Sequence, residues 1–192
     1  MSKVQQPVER FLAKSEKSEH PFYWFLSFGR KPLFTPANVI KLAPGLTATT
    51  LQNWANRDVV NALLQMKEER GRRYFDSLAT ARIVFGHRLI TEFKLQPVHA
   101  MLVCELAWVN VLKQFFEGII PEGAAEEERY PVDWDRLERY WALYAFGRSI
   151  AVSRENLGEA IIDFGNAIVL PHGRDMLDLA VRAKQLFNES NE

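Results

Sequence analysis

Between residues 34 and 76 the chain reads FTPANVIKLAPGLTATTLQNWANRDVVNALLQMKEERGRRYFD, a stretch whose punctuation leaves few local geometries open. Thr35 offers a hydroxyl N-cap, and Pro36 fills the first helical position, where a missing N–H costs nothing. Val39, Ile40 and Leu42 give this short helix an apolar side, and Pro44-Gly45 ends it after about two turns. Thr47 caps a second helix in which Leu51, Trp54 and Ala55 recur at three- and four-residue spacing. Its opposite face carries Thr49, Gln52, Asn53 and Asn56. Further on, Lys67, Arg70, Arg72 and Arg73 surround Gly71, and glycine there permits a tight hairpin. Tyr74 and Phe75 return that hairpin to the core, and Asp76 or Ser77 caps the next helix.

Neutral amides and hydroxyls are the groups that read base edges in a major groove, whereas an idle solvated face more usually carries Glu and Lys. An ordinary polar face remains the plain alternative for Thr49, Gln52, Asn53 and Asn56. Helix, turn, helix, basic wing and helix together describe a winged helix-turn-helix. The stretch resembles the MerR-like DNA-binding domain through Leu46-Thr47, Thr50-Leu51, Trp54, Arg57-Asp58-Val59-Val60, Gly71-Arg72-Arg73-Tyr74 and residues 78–83. The likeness covers about a third of the chain. It implies that the polar face of the second helix probes the major groove. Arg57 and the wing residues Lys67, Arg70, Arg72 and Arg73 would hold phosphates or enter the adjacent minor groove. The family usually has Arg-Tyr-Tyr or Arg-Tyr-Trp where Gln52-Asn53-Trp54 stands, and often Gly at the position of Asp58.

Formal net charge is zero, but it is segregated. Residues 30–94 hold 11 Lys/Arg against 5 Asp/Glu, a balance of +6, and residues 95–192 hold 9 against 16, a balance of −7. A basic half is what a polyanion needs, whatever the total. Cys104 is the only cysteine, which excludes an internal disulfide or a CxxC metal site and reads as a small core residue. No apolar run suits a membrane span or a signal peptide, so a cytoplasmic protein without membrane association is expected.

The N-terminal arm, residues 1–33, includes PVERFLAKSEK, which suits a short helix, and the aromatics Phe22, Tyr23, Trp24, Phe25 and Phe28. Those are too apolar for a free tail and should pack on the winged helix or on a partner chain. Arg30 and Lys31 suit either a phosphate contact or a solvated loop. The helix over 77–93 turns Ile83, Val84, Leu89 and Ile90 inward and leaves Arg82 and Arg88 outside. After Pro97 a long helix sets Val98, Leu102, Leu106, Val109, Leu112 and Phe116 along one seam, widened by Met101, Trp108, Val111 and Phe115. Such a helix either links and dimerises, as in MerR-like regulators, or forms the core of its own chain. Residues 118–129, GIIPEGAAEEER, read as a break with a solvated acidic run.

Beyond the break, DWDRLERYWALYAFG reads as a helix opened by Pro131 or Asp133 and ended by Gly147. Its aromatic face, Trp134, Leu137, Tyr140, Trp141 and Tyr144, is either core or the wall of a ligand pocket. Residues 149–153 alternate as a strand. Residues 160–164 and 167–170 flank Gly165-Asn166 as a hairpin, although EAIIDF also suits a helix. A terminal amphipathic helix follows Pro171, with Met176, Leu177, Ala180, Val181 and Phe187 inward. His172-Gly173-Arg174 at its start is a candidate anion site.

The expected fold is therefore mainly α with a small β component. It divides into an arm (1–33), a winged helix-turn-helix head (34–94), a long linking or dimerising helix (95–120) and a small acidic α+β module (130–192). His20, His87, His99 and His172 are scattered, and no HExxH, GxSxG, P-loop or GxGxxG occurs. No enzyme, cofactor or metal is expected. The favoured role is a DNA-binding transcriptional regulator, a homodimer on double-stranded DNA, whose C-terminal module meets a small molecule or a protein. The alternatives are a phage-type architectural or packaging factor (an excisionase or small terminase subunit) and an adaptor without DNA contact.

Overall fold

A computed structural model describes residues 20–27, 33–57, 67–69, 72–117, 132–145 and 148–189. The protein is mainly helical, with a small three-stranded antiparallel sheet. Two compact units are formed, one from Phe25–Glu105 with Leu179–Glu192 and the other from Met1–Trp24 with Leu106–Asp178. Helices α1 (Pro21–Ser27), α5 (Pro97–Glu117) and α7 (His172–Glu189) supply residues to both. The expected helix within PVERFLAKSEK, residues Arg30 and Lys31, the turn at Asp58-Val59-Val60 and the break at 118–129 all lie outside the described residues.

In the unit containing residues 25–105, α2 (Pro36–Leu42) begins with a reciprocal cap. The Thr35 hydroxyl accepts from the Asn38 amide at 3.2 Å, and the Asn38 side-chain oxygen accepts from the Thr35 amide at 2.9 Å. Gly45, at φ +83°, turns the chain where a side chain would be strained, and the Leu46 amide closes the turn on the Ala43 carbonyl. Helix α3 (Ala48–Ala55) is capped by Thr47, and α4 (Ser77–Phe93) by Asp76, whose carboxylate accepts from the Ala79 amide at 2.7 Å. Helix α2 contacts both α3 and α4. The two strands β1 (Lys67–Glu69) and β2 (Arg72–Tyr74) pair antiparallel.

Core positions in this unit follow the pattern of the residues. Phe25, Val39, Leu51, Trp54, Phe75, Ile83 and Leu89 are buried. Arg82 is not outside as expected. Its side chain is only 11% exposed and donates to Glu105 at 3.0 Å, since a long stem packs well once its head is paired. From α7, Leu179, Ala180, Ala183 and Leu186 are buried, whereas Val181 is 40% exposed and not inward. Arg182 donates to the Leu42 carbonyl at 3.1 Å, which satisfies an orphan acceptor at the end of α2.

In the other unit Trp134, 3% exposed, is the hub of an aromatic core. Phe22, Phe115 and Phe116 surround its ring at centroid distances of 5.5, 5.7 and 6.1 Å. Aromatic pairs at such distances add stabilisation beyond area burial, about 0.5–1.5 kcal/mol each. Of the arm's aromatics, Phe22 and Phe25 are core residues of their own chain and Tyr23 and Trp24 are half-buried, while Phe28 lies outside the described residues. Trp134 and Leu137 stand in a 3-10 turn (Trp134–Arg139), and the chain then enters β3 (Tyr140–Ala145), not the single long helix expected. Three-residue spacing fits a 3-10 turn as well as an α-helix, and the aromatic run YWALY has strong strand propensity once a partner strand is present. That partner is β4 (Arg148–Ser153), in register from Tyr140 with Ser153 to Ala145 with Arg148.

The expected hairpin around Gly165-Asn166 does not form. Residues Leu157–Phe164 are helix α6, and β5 (Ile168–Leu170) pairs with β3 to give the order β4-β3-β5. Leu157, Ala160, Ile161 and Phe164 have helical spacing, and β3 offers β5 a full edge. Helix α5 also corrects an expectation. Leu102 and Leu106, placed in the seam, are each 41% exposed, whereas Leu112 and Phe116 of the same seam are buried, as are Met101, Cys104, Trp108, Val111 and Phe115. The larger rings claim the core because they remove more apolar surface from water.

Helix α7 starts in backbone contact with the 3-10 turn. A Cβ on Gly173 would fall on the Leu137 carbonyl oxygen and within 3.0 Å of the Tyr140 oxygen, both rigid main chain. Gly158, in α6, has nothing within 4 Å. Gly173→Ala should therefore cost stability, by about 1–3 kcal/mol or more, although alanine is the better helix former. Gly158→Ala should be neutral or gain up to about 1 kcal/mol. Denaturant titration of the two variants checks this, and equal effects would contradict the packing described.

Candidate functional site

Helix α3 separates its two faces cleanly. Leu51, Trp54 and Ala55 are buried at 2–4% exposure, while Thr49, Gln52, Asn53 and Asn56 are exposed, as is Arg57 just beyond the helix end.

The strand pair is brought to the same region by two contacts. At its base Phe34 and Phe75 form an antiparallel bridge, with amide-to-carbonyl distances of 2.9 Å one way and 2.8 Å the other. Both rings are buried, at 2% and 1% exposure, and Phe25 lies 6.0 Å from Phe34. Nearer the polar face, the Arg73 guanidinium donates through Nη2 to Oδ1 of Asn56 at 3.2 Å. That bond joins residues 17 apart and ties β2 to the C-terminal end of α3.

Of the expected phosphate contacts, Arg57 and Arg72 are exposed, Arg73 is half-buried, and Lys67 lies in β1. Arg70 and Gly71 lie outside the described residues. Strand register sets Glu69 opposite Arg72 and Glu68 opposite Arg73. Arg72 and Arg73 are thus paired in register with acidic positions, a feature that a count of basic residues does not reveal.

Behind the polar face, His87 of α4 underlies the junction. Its ring centroid is 6.1 Å from that of Trp54, and its Cε1 lies 3.6 Å from where a Gly45 side chain would begin. Burial lowers the His87 pKa below its ordinary value. No sequence signal marked this residue, since an isolated histidine has no spacing to read. Cys104 is buried, and desolvation pushes its thiol well up despite the opposing charge of Arg82, so it is a core residue in a non-nucleophilic state.

In the second unit the site signals are weaker. A shallow depression of about 510 Å³ is lined by Tyr144, Ala145, Gly165, Asn166, Ala167 and Ile168. Of the expected aromatic face, Trp134 and Leu137 are buried in the core, and Tyr144 lines the depression. The suggested anion site at His172-Gly173-Arg174 is closed: His172 is 1% exposed, and the helix start rests on carbonyl oxygens, which repel an anion. On α6, Ile162 is 81% and Ile161 39% exposed, beside the exposed Glu159 and Asp163. Among the described residues no helix is long and apolar enough to cross a membrane, and no group of His, Cys, Asp and Glu is placed to hold a metal ion. The chain matches no family model, and no curated protein or solved structure is similar to it.

The His87 shift carries a sign. Above about pH 6.5 the ring is neutral in both states and its full contribution to stability is present. As the pH falls through that value the unfolded chain takes up a proton first, so stability declines until the pH passes below the folded value. Melting curves of the full chain should therefore lose stability in this window, and His87→Gln should remove that part of the loss. A pH profile identical in the variant would show that His87 is not the group responsible.

Proposed function

We propose that this protein is a sequence-specific DNA-binding transcriptional regulator, built on a winged helix-turn-helix over residues 34–94 and acting as a homodimer on double-stranded DNA. One observation chiefly supports the reading. Helix α3 keeps four neutral polar side chains, Thr49, Gln52, Asn53 and Asn56, in solvent over a buried apolar face, with a wing arginine hydrogen-bonded at its end. On this reading Thr49, Gln52 and Asn53 meet base edges in the major groove, and Arg57, Lys67, Arg70, Arg72 and Arg73 meet phosphates. The C-terminal module serves a sensing or interaction role, which the exposed Ile161 and Ile162 support.

The adaptor reading draws on a specific observation as well, the acidic positions Glu68 and Glu69 across from Arg73 and Arg72. Opposed charges directly across a strand pair contribute only about 0.2–1 kcal/mol. Displacing them for a phosphate, with release of a condensed counterion, is within reach, so DNA binding remains the stronger reading.

Fluorescence anisotropy of the full chain with labelled duplex separates the two. Neutralising about five phosphates gives a log–log salt slope of roughly −4.5 per head. Substituting both Arg72 and Arg73 with Ala should make the slope less steep by about 1.8 and weaken all duplexes alike. Asn53→Ala should instead shift sequence preference, by about 1–3 kcal/mol at one position. Absence of duplex binding in dilute buffer would favour the adaptor.

A further inference from the structure

We infer that Asn56 is a positioning residue for Arg73, not a reader of bases; the inference rests on the DNA-binding reading above. Asparagine recognises adenine through both ends of its amide, accepting with the oxygen while donating with the nitrogen. In this structure the Asn56 oxygen already accepts from Nη2 of Arg73 at 3.2 Å. A base contact of the two-ended kind would have to compete with that bond, and hydrogen bonds to a charged group are the stronger class.

The position of Asn56 argues the same way. Asn56 is the C-cap of α3, at φ −88° and ψ −5°, with its amide bonded to the Gln52 carbonyl at 3.0 Å. Base contacts in helix-turn-helix proteins come mainly from toward the N-terminal end of the recognition helix, and Asn56, past its last helical residue, is the farthest of the four from that end. Arg73 loses little by the contact. A guanidinium has five N–H donors, and the bond to Asn56 uses one, leaving four and the full charge for a phosphate. Holding a long, flexible side chain in place beforehand lowers the ordering cost on binding. Arg73 pairs in register with Glu68, and the one contact its guanidinium is shown to make is with the neutral amide oxygen of Asn56. Helix α3 and the wing then present one edge, with bases read by Thr49, Gln52 and Asn53.

The test is a set of full-length variants, Asn56→Ala, Arg73→Ala, the double variant and Asn56→Gln, titrated against a selected duplex and its single-base variants. Melting curves of each confirm folding. Asn56→Ala should weaken every duplex by the same factor, about three- to tenfold, and leave the preference profile unchanged. The double variant should bind no more weakly than Arg73→Ala alone, because the two residues act as one unit. Asn56→Gln, which keeps an acceptor oxygen, should recover much of the affinity. A changed preference at one base position, or losses that multiply in the double variant, overturns the positioning role while leaving the DNA-binding reading intact. A wild-type chain that binds no duplex overturns that reading itself, and the inference with it.

Discussion

The pairing of Phe34 with Phe75 is the constraint on which the candidate site depends. The two residues are about 40 positions apart, and closing a flexible loop of that length costs about 3 kcal/mol beyond a constant. Burying two phenylalanine side chains contributes about 1.5–3 kcal/mol each, and the bridge satisfies main-chain groups that burial would otherwise orphan. Thr35 and Asp76, the caps of α2 and α4, follow directly in sequence. One contact therefore fixes where two helices begin and where the strand pair returns. The Arg73–Asn56 bond then sets the outer edge relative to α3.

Much of this was legible in the sequence because short-range chemistry decides it. Thr35, Thr47 and Asp76 cap the helices that their position implies, Gly45 turns between α2 and α3, and Leu51 and Trp54 lie inward with Gln52 and Asn53 outward. Lys67–Glu69 and Arg72–Tyr74 pair as two short strands. What could not be read is what depends on partners distant in the chain. Asn56 looked equivalent to Asn53 because nothing local indicates that Arg73, 17 residues on, takes its oxygen. The charge balance of residues 30–94 likewise counted arginines without the register that sets Glu68 and Glu69 opposite two of them.

The second half was harder for a related reason. Aromatic residues at three-residue spacing serve a 3-10 turn, an α-helix or, with alternation, a strand, and Trp134 to Tyr144 contain all three patterns. Which one forms depends on β4 and β5 being available to β3 and on Phe22 and Phe115 filling the space around Trp134. In α5 apolar residues cover so much of the circumference that a rotation of one residue chooses between two plausible seams. Around Trp108 the seam with Met101 and Cys104 is inward and leaves Leu102 and Leu106 partly in solvent, while farther on both seams are buried, at Val111 and Phe115 and at Leu112 and Phe116.

The central claim is that the exposed polar face of α3 and the wing edge form one surface that receives duplex DNA. Titrating the isotopically labelled full chain with a short duplex, and following amide and side-chain resonances, tests it most directly. Shifts gathered at Thr49, Gln52, Asn53, Arg57, Arg72 and Arg73 are the predicted result. Shifts gathered instead around Ile161 and Ile162 on α6, or none at duplex excess in dilute buffer, would contradict it.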